Sequence, residues 1–149
     1  MAHLIDTNVL VRLANNADAN HPVAARAVLE LHRQGRALHL TPQVLIEFRN
    51  VATRPNSLNG LRLSTVDAKA QAAGFEASFL LLPESPAIFP AWKAIVESFG
   101  VVGKQVHDAR LVAVCNTHGV THLLTFNTGQ FTRMVSHGPG LVVVDPASV

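Results

Sequence analysis

The sequence contains little cysteine and no long hydrophobic run, and each scarcity excludes a class of protein. Cys115 is the single cysteine, which excludes an internal disulfide and a multi-cysteine zinc site. It lies in a stretch rich in alanine and valine, so we predict a buried structural thiol rather than a nucleophile. Apolar runs such as FLLL and LVVV are strand-sized and fall well short of the ~20 residues of a membrane-spanning helix.

Aromatic residues and catalytic signatures are scarce as well. Aromatics make up 5% of the chain, with no tyrosine and Trp92 as the one tryptophan, so a surface that stacks on nucleic-acid bases is not indicated. The sequence has no GxSxG elbow, no P-loop and no HExxH spacing among its 8 histidines. Catalysis by a protein nucleophile or by a histidine-bound metal therefore has no support in these patterns.

Charged residues are few, at 15%, and hydrophobic residues reach 48%, a balance that predicts extensive burial and is compatible with a subunit interface. We predict one domain over residues 1–149, because 149 residues can form a substantial core but are too few to expect two domains. The predicted first strand begins at Ala2 and leaves no room for a secretory signal, so a cytoplasmic protein without membrane attachment is expected.

Strands and helices alternate along the chain, which predicts an α/β fold with a central, mostly parallel sheet and helices on both faces. Residues 54–63 are rich in turn formers and are predicted to form a loop. The predicted strands cover residues 2–6, 37–40, 80–82, 121–126 and 141–144. The predicted helices cover residues 7–15, 22–34, 42–53, 64–79, 86–99 and 105–118.

Four polar side chains are predicted to meet at the carboxyl edge of this sheet, where ligands bind in such folds. Asp6 ends the first strand, and Glu47 lies about a turn and a half into the helix after the second strand. Asp108 is in the first turn of its helix, and Asn127 follows the strand after that helix. Topology alone therefore gathers Asp6, Glu47, Asp108 and Asn127 on one rim.

Three carboxylates close together repel one another, and the segments around them carry no lysine or arginine placed to neutralise each one. A hard divalent cation with oxygen ligands relieves that repulsion, so a metal site is predicted. The formal charge of the whole chain is +2, and setting aside these three acids leaves a basic surface around an acidic pocket. Such a surface suits a polyanion that docks through its phosphates.

Four motifs resemble those of the PIN domain, in the arrangement of the VapC-type toxins of bacterial toxin–antitoxin pairs. The matching segments are LIDTNVLV, LIEFRN, VHDARLVAV and LLTFNTGQF, in the order typical of the family. The resemblance implies a three-layer PIN-like fold and metal binding by Asp6, Glu47 and Asp108. Thr7, Asn8 and Thr125 would support these acids.

The sequence departs from the PIN pattern at one position. Asn127 occupies the place where many members carry a fourth acid. An asparagine offers a carbonyl oxygen or orients a water but adds no negative charge, so the choice between one metal and two stays open.

The activity implied by the resemblance is hydrolysis of RNA phosphodiester bonds with Mg²⁺ or Mn²⁺, in the toxin of a toxin–antitoxin pair. Asp6, Glu47, Asp108 and Asn127 would form the catalytic set. A cognate antitoxin is the implied partner, and the apolar composition also predicts a homodimer. Candidate contacts to RNA phosphates are Arg12, Arg49, Lys104, Arg110 and Arg133, with Arg54 as a further possibility.

Two alternatives remain open at the level of sequence. A phosphatase-like enzyme would use Asp6 as a nucleophile, but it would normally carry a second acid two residues later, where this chain has Asn8. A PIN-like module that has lost its metal and acts by binding RNA or protein is favoured by Asn127 and disfavoured by the three intact acids.

Overall fold

The computed structural model describes residues 1–135 and 140–149, in which five strands form one sheet flanked by seven α-helices. The strands are β1 (Ala2–Ile5), β2 (Ala37–Leu40), β3 (Leu80–Leu81), β4 (His122–Leu124) and β5 (Val142–Val144). The helices are α1 (Thr7–Leu13), α2 (His21–Arg33), α3 (Pro42–Thr53), α4 (Thr65–Ser78), α5 (Ile88–Phe99), α6 (Gln105–His118) and α7 (Thr128–Val135).

The sheet order is β3-β2-β1-β4-β5, and every neighbouring pair is parallel. The strand order reverses at β1, which lies between β2 and β4 in the centre of the sheet. Ligands of open parallel sheets bind at such a reversal, outside the carboxyl ends of the strands. The residues that follow β1 and β4 are therefore the first place to search for a functional site.

Two groups of helices cover the sheet. Helices α1 to α4 pack against one another, and α5 to α7 form a second group, which gives the predicted three-layer α/β architecture. The core between the layers is fully buried at the central strands, and it includes Leu4, Ile5, Leu123 and Leu124. In α6, Ala109 and Ala113 are buried, and their small side chains allow close packing.

Local signals account for the helix ends. The Thr41 hydroxyl accepts a hydrogen bond from Val44 N at 3.1 Å and caps α3, with Pro42 in the first turn. The Ser64 hydroxyl caps α4 in the same way, accepting from Asp67 N at 3.0 Å. Gly119 ends α6 in the left-handed conformation, at a φ of 66° that favours glycine.

Several predicted elements differ from those observed. Helix α7 was not predicted, although Phe131 and Met134, three residues apart, bury one face of it. The third strand is only the two exposed residues of β3 at the sheet edge, where a single neighbour supports it. The strand predicted over 121–126 narrows to β4, because Thr125 and Phe126 turn into the site instead of extending the sheet.

None of the helices within the described residues combines the length and the hydropathy needed to cross a bilayer.

Candidate metal centre

A cleft of about 450 Å³ opens where β1 and β4 end. Asp6 follows β1 directly, and its backbone N–H donates to the Leu124 carbonyl of β4 at 3.0 Å. The lining residues are Asp6, Thr7, Asn8, Val11, Arg12, Asp18, Glu47, Val51, Arg54, Asn59, Asp108 and Asn127. The four side chains predicted to share one rim, Asp6, Glu47, Asp108 and Asn127, thus all line the same cleft.

Asp6 is buried and is both the N-cap of α1 and a cleft residue. Its Oδ1 accepts from the backbone N–H of Thr7 at 2.7 Å. Its Oδ2 accepts from Asn8 Nδ2 at 2.9 Å and from the Thr125 hydroxyl at 2.7 Å. Asp6 therefore combines helix capping with a position in the cleft.

Asn8 and Thr125 join the end of β1 to the end of β4. The Asn8 side chain donates to Thr125 Oγ1 at 2.9 Å and accepts from the backbone N–H of Phe126 at 3.1 Å. Thr125 Oγ1 also accepts from Asn127 N at 3.0 Å. These bonds fix the orientation of the Asp6 carboxylate, because every hydrogen-bonding neighbour of its Oδ2 is itself held.

Glu47 lies in the second turn of α3 and faces Asp6 across the cleft. Its Oε2 accepts from the Thr7 hydroxyl at 2.9 Å, and its Oε1 accepts from Gln43 Nε2 at 3.0 Å. The same Gln43 amide donates to the His107 carbonyl at 2.9 Å, one residue before Asp108. Gln43 therefore links two of the acid-bearing helices, α3 and α6.

The carboxyl groups of Asp6 and Asp108 are held in conditions that disfavour their charge. Burial raises the pKa of Asp6 to about 6, although the hydrogen bonds from Thr125, Thr7 and Asn8 lower it. Burial also raises the pKa of Asp108 to about 6, and the negative charges of Asp6 and Glu47 add to the effect. Three mutually repelling carboxylates in one cleft are the arrangement that a bound cation stabilises.

The oxygen ligands of the cleft suit a hard divalent cation, but the carboxylates are not positioned to coordinate one ion as the side chains are placed. Within residues 1–135 and 140–149, no group of three or more His, Cys, Asp or Glu side chains is arranged to hold an ion. Two of the acids are oriented by hydrogen bonds within the protein, and each retains oxygen lone pairs. Carboxylate oxygens are the ligands that Mg²⁺ and Mn²⁺ prefer, so the residues present fit such an ion in kind.

The basic residues that were predicted to contact RNA phosphates differ in their position relative to the cleft. Arg12 lines the cleft, stacks over the Phe126 ring at 4.5 Å from its centroid, and donates to the Asn8 carbonyl at 3.0 Å. Arg110 instead pairs with Glu84 at 2.7 Å and donates to Gln43 Oε1 at 3.1 Å. The other three are exposed and lie outside the cleft lining: Arg49, Lys104 and Arg133.

Sequence reasoning missed three residues of the site, Gln43, Asp18 and Asn59. Gln43 had a detectable signal, because it lies one helical turn before Glu47 on the same face. Asp18 and Asn59 reach the cleft from loops, where no periodicity relates a residue to the sheet edge.

Comparisons with known proteins identify the relatives of the chain. The family model of the PIN domain matches residues 3–135. None of the curated proteins matches the sequence significantly.

The solved structures that resemble this fold include toxin–antitoxin proteins. One is VapBC2 from Rickettsia felis bound to a DNA fragment from its promoter, with 17% identity, a TM-score of 0.71 and coverage of 97% of this chain and 98% of that chain. Another is DNA-bound VapBC from Salmonella typhimurium, with 19% identity, a TM-score of 0.67 and coverage of 98% of each chain. A third is VapC20 from Mycobacterium tuberculosis, described as a sarcin–ricin loop cleaving toxin, with 22% identity, a TM-score of 0.58 and coverage of 81% of this chain and 86% of that chain.

Proposed function

Because the chain belongs to the PIN domain family, we propose that it is a metal-dependent endoribonuclease and the toxin component of a toxin–antitoxin pair. The observation that supports the proposal most directly is the cleft that Asp6 after β1, Glu47 of α3 and Asp108 of α6 line together. The resemblance to VapC20, described as a sarcin–ricin loop cleaving toxin, supports the choice of RNA as substrate.

The net charge of the residues that line the cleft supports binding of a divalent cation. Its lining carries four carboxylates, of Asp6, Asp18, Glu47 and Asp108, and two guanidiniums, of Arg12 and Arg54. The formal charge of the cleft is therefore −2 when all these groups are ionised, and one divalent ion neutralises it. At pH 7 both raised carboxyl groups, with pKa values of about 6, are mostly ionised and able to bind it.

Each side chain has a role in this scheme. Asp6, Glu47 and Asp108 would hold Mg²⁺ or Mn²⁺. Asn127, at the position of the fourth acid of many PIN domains, would orient a ligand or a water. When bound, the ion supplies charge stabilisation at the scissile phosphate and a lower pKa for the attacking water. Thr125, Asn8 and Thr7 keep the carboxylates oriented, and Gln43 holds Glu47 against α6.

Cleavage of RNA by the purified protein tests the proposal. We expect cleavage in Mg²⁺ or Mn²⁺ and none in EDTA, with a loss of at least ~100-fold in Asp6→Asn and Asp108→Asn, since each removes a charged ligand. Glu76→Gln, which removes an exposed acid of α4, is the matched control and should retain activity. Activity that survives EDTA, or that is equal in Asp108→Asn and wild type, would contradict the assignment.

An antitoxin partner is part of the same proposal. A groove of about 530 Å³ between α2 and α4 is lined mostly by apolar side chains, among them Leu13, Leu29, Phe75 and Phe79. Such a groove suits the apolar face of an amphipathic segment. The antitoxin complexes among the similar structures support an antitoxin segment as the occupant. Copurification with the product of the adjacent reading frame, lost in Leu29→Asp, is the expected result.

A binding module without metal is the second candidate. It is favoured by Asn127 in place of a fourth acid and by the lack of a ready three-ligand group in the described part of the chain. Calorimetry with Mn²⁺ separates the two candidates. Heat of binding that disappears in Asp108→Asn supports the nuclease, and no binding at millimolar metal supports the module.

A further inference from the structure

Two arginines share the cleft with the acids and have no carboxylate partner in the described part of the chain. Arg12 comes from α1 and Arg54 from the end of α3, and both guanidiniums line the cleft. Neither forms an ion pair with any residue of the two described ranges. Their Nε atoms are buried and have no hydrogen-bond partner within those ranges. A half-buried cation without a counter-ion costs free energy unless a ligand supplies one.

The position of Arg54 on α3 relates it to the acids. Arg54 is the C-cap residue of α3, and it lines the cleft together with Glu47 and Val51 of that helix. The six residues from Glu47 to the helix end at Thr53 rise by about 9 Å at ~1.5 Å per residue. The backbone of Arg54 thus lies well beyond that of Glu47 along the helix axis, which suits a contact to a neighbouring phosphate of the same strand.

The loop 54–63 is built around Arg54. The Arg54 carbonyl accepts from Arg62 N at 3.1 Å, and the preceding carbonyls of Val51 and Ala52 accept from Leu61 N at 3.0 Å and Leu63 N at 2.8 Å. The Arg54 side chain donates to the Asn59 carbonyl at 3.3 Å. These bonds fold the loop back onto the end of α3 and bring Asn59 to the cleft beside Arg54.

Gly60 is required for this arrangement. It is buried, and a Cβ added there would overlap the carbonyl oxygen and Cγ of Arg54. Asn59 and Arg62 on either side adopt left-handed backbone angles, with φ of 57° and 53°. Two non-glycine residues with positive φ and a close contact between Gly60 and Arg54 are unusual in a loop. They indicate that this loop has a specific conformation.

Resting on the proposed function, we propose that Arg54, held in place by the loop around Gly60, anchors the RNA phosphate next to the one that is hydrolysed. Arg12, on the other wall of the cleft, supplies a second positive charge to the same stretch of backbone. A guanidinium can bind phosphate oxygens in a bidentate manner, and the Arg54 guanidinium keeps N–H donors beyond the one that it gives to the Asn59 carbonyl. The RNA would thus run from the acids along the groove between α1 and α3.

Binding of a short fluorescein-labelled single-stranded RNA, measured by anisotropy in Ca²⁺ with the RNA verified intact, tests this role. We expect Arg54→Gln to weaken binding roughly tenfold and to reduce the slope of log K against log salt by about one. Arg54→Lys should recover part of the affinity, because it keeps the charge but not the fork. Gly60→Ala should also weaken RNA binding, as Arg54→Gln does. A thermal melt of the Gly60→Ala variant checks that it is still folded. Arg26→Gln, an exposed arginine of α2, is the matched control.

Cleavage kinetics separate this inference from the nuclease assignment. In Arg54→Gln we expect KM to rise by about the same factor as Kd, with kcat at saturating RNA nearly unchanged. An active nuclease whose Arg54→Gln variant matches wild type in Kd and salt slope overturns the anchor alone. Binding of RNA that depends on Arg54, in a protein without nuclease activity, supports the anchor and overturns the nuclease. Absence of RNA binding by the wild type overturns both.

Discussion

At the scale of single residues, Thr125 shows how tightly the site is specified. Its side chain is completely buried, and its hydroxyl donates to Asp6 and accepts from Asn8 Nδ2 and Asn127 N. A hydroxyl has one donor and two acceptor positions, so Thr125 uses all of them. One hydroxyl therefore contacts three residues of the site, and it helps to orient the Asp6 carboxylate together with Thr7 and Asn8.

Replacing Thr125 by valine tests that dependence. Thr125→Val keeps the shape but removes one hydrogen bond from each of Asp6, Asn8 and Asn127, so we expect a loss of ~1–3 kcal/mol in the free energy of unfolding. Affinity for Mn²⁺ should also fall ~10–100-fold, since oriented ligands are lost. Chemical denaturation and calorimetry measure the two effects. Thr125→Ser retains the hydroxyl and should stay close to wild type in both measurements.

The residues of the candidate site could be predicted from the sequence only in part. Asp6, Glu47, Asp108, Thr125 and Asn127 could be assigned to one site because strand ends and motif order identify them without coordinates. The arginines could not be ranked, because a sequence does not reveal pairing. Arg110 was predicted to contact RNA but is engaged by Glu84 and Gln43. Arg54, mentioned only as a possibility, lines the cleft.

At the scale of elements, β1 and β4 are joined by a stacked pair of histidines as well as by backbone bonds. His3 and His122 are register partners, with ring centroids 4.5 Å apart. His3 is buried, and its Nδ1 lacks a hydrogen-bond partner among the described residues. Burial, together with the charges of His122 and Arg36, lowers the pKa of His3 to about 4. The pair therefore packs as neutral rings between two central strands.

The low pKa of His3 makes its contribution to stability sensitive to acid. The unfolded chain takes up the proton below about pH 6.5 and the folded chain only near 4, so stability from His3 is present above 6.5 and is lost as the pH falls through this window. The raised pKa values of Asp6 and Asp108 act in the opposite direction. Comparison with His3→Phe, which keeps the ring but cannot titrate, isolates the histidine.

We compare the free energy of unfolding of His3→Phe with that of wild type at pH 7 and at pH 4.5. The difference should shift in favour of the variant by about 2–3 kcal/mol at the lower pH, because only wild type loses the contribution of neutral His3. Urea denaturation at the two pH values measures the difference. His32→Gln, a change at an exposed histidine of α2, should show a much smaller pH effect. A constant difference between His3→Phe and wild type across this range would refute the buried neutral histidine.

Most elements could be predicted from capping residues and periodicity, and the exceptions have physical causes. Thr41, Ser64 and Gly119 mark helix ends in the sequence, and the structure confirms each one. Helix α7 has only eight residues and two buried positions, Phe131 and Met134, which is too little to establish a period. Strand β3 owes its conformation to pairing with β2 rather than to its own sequence.

At the scale of the whole molecule, the sheet ends at β3 in an exposed apolar edge. Leu80 and Leu81 are 58% and 54% exposed, although edge strands normally carry charge or cover. Ile46 of α3 and Phe89 of α5 are further exposed apolar residues, at 69% and 66%. Apolar surface of this kind on a small domain supports the proposed homodimer.

Charge introduced at this edge should separate the proposed dimer. We expect wild type to elute as a dimer and Leu81→Lys as a monomer in size-exclusion chromatography with light scattering, because the lysine would be desolvated at the interface. Val142→Lys places the same charge on an exposed residue of β5, at the opposite edge of the sheet, and should leave the dimer intact. A monomeric wild type at high concentration would contradict the proposal.

The hydrogen bond between Asp6 and Thr125 spans 119 residues of sequence and bears on how the protein is synthesised. A chain emerging from the ribosome presents Asp6 long before Thr125, the residue whose hydroxyl helps to orient this acid. The hydrogen-bonded arrangement of the cleft can therefore form only after Thr125 has been synthesised, so a nascent chain shorter than this lacks the oriented Asp6 carboxylate.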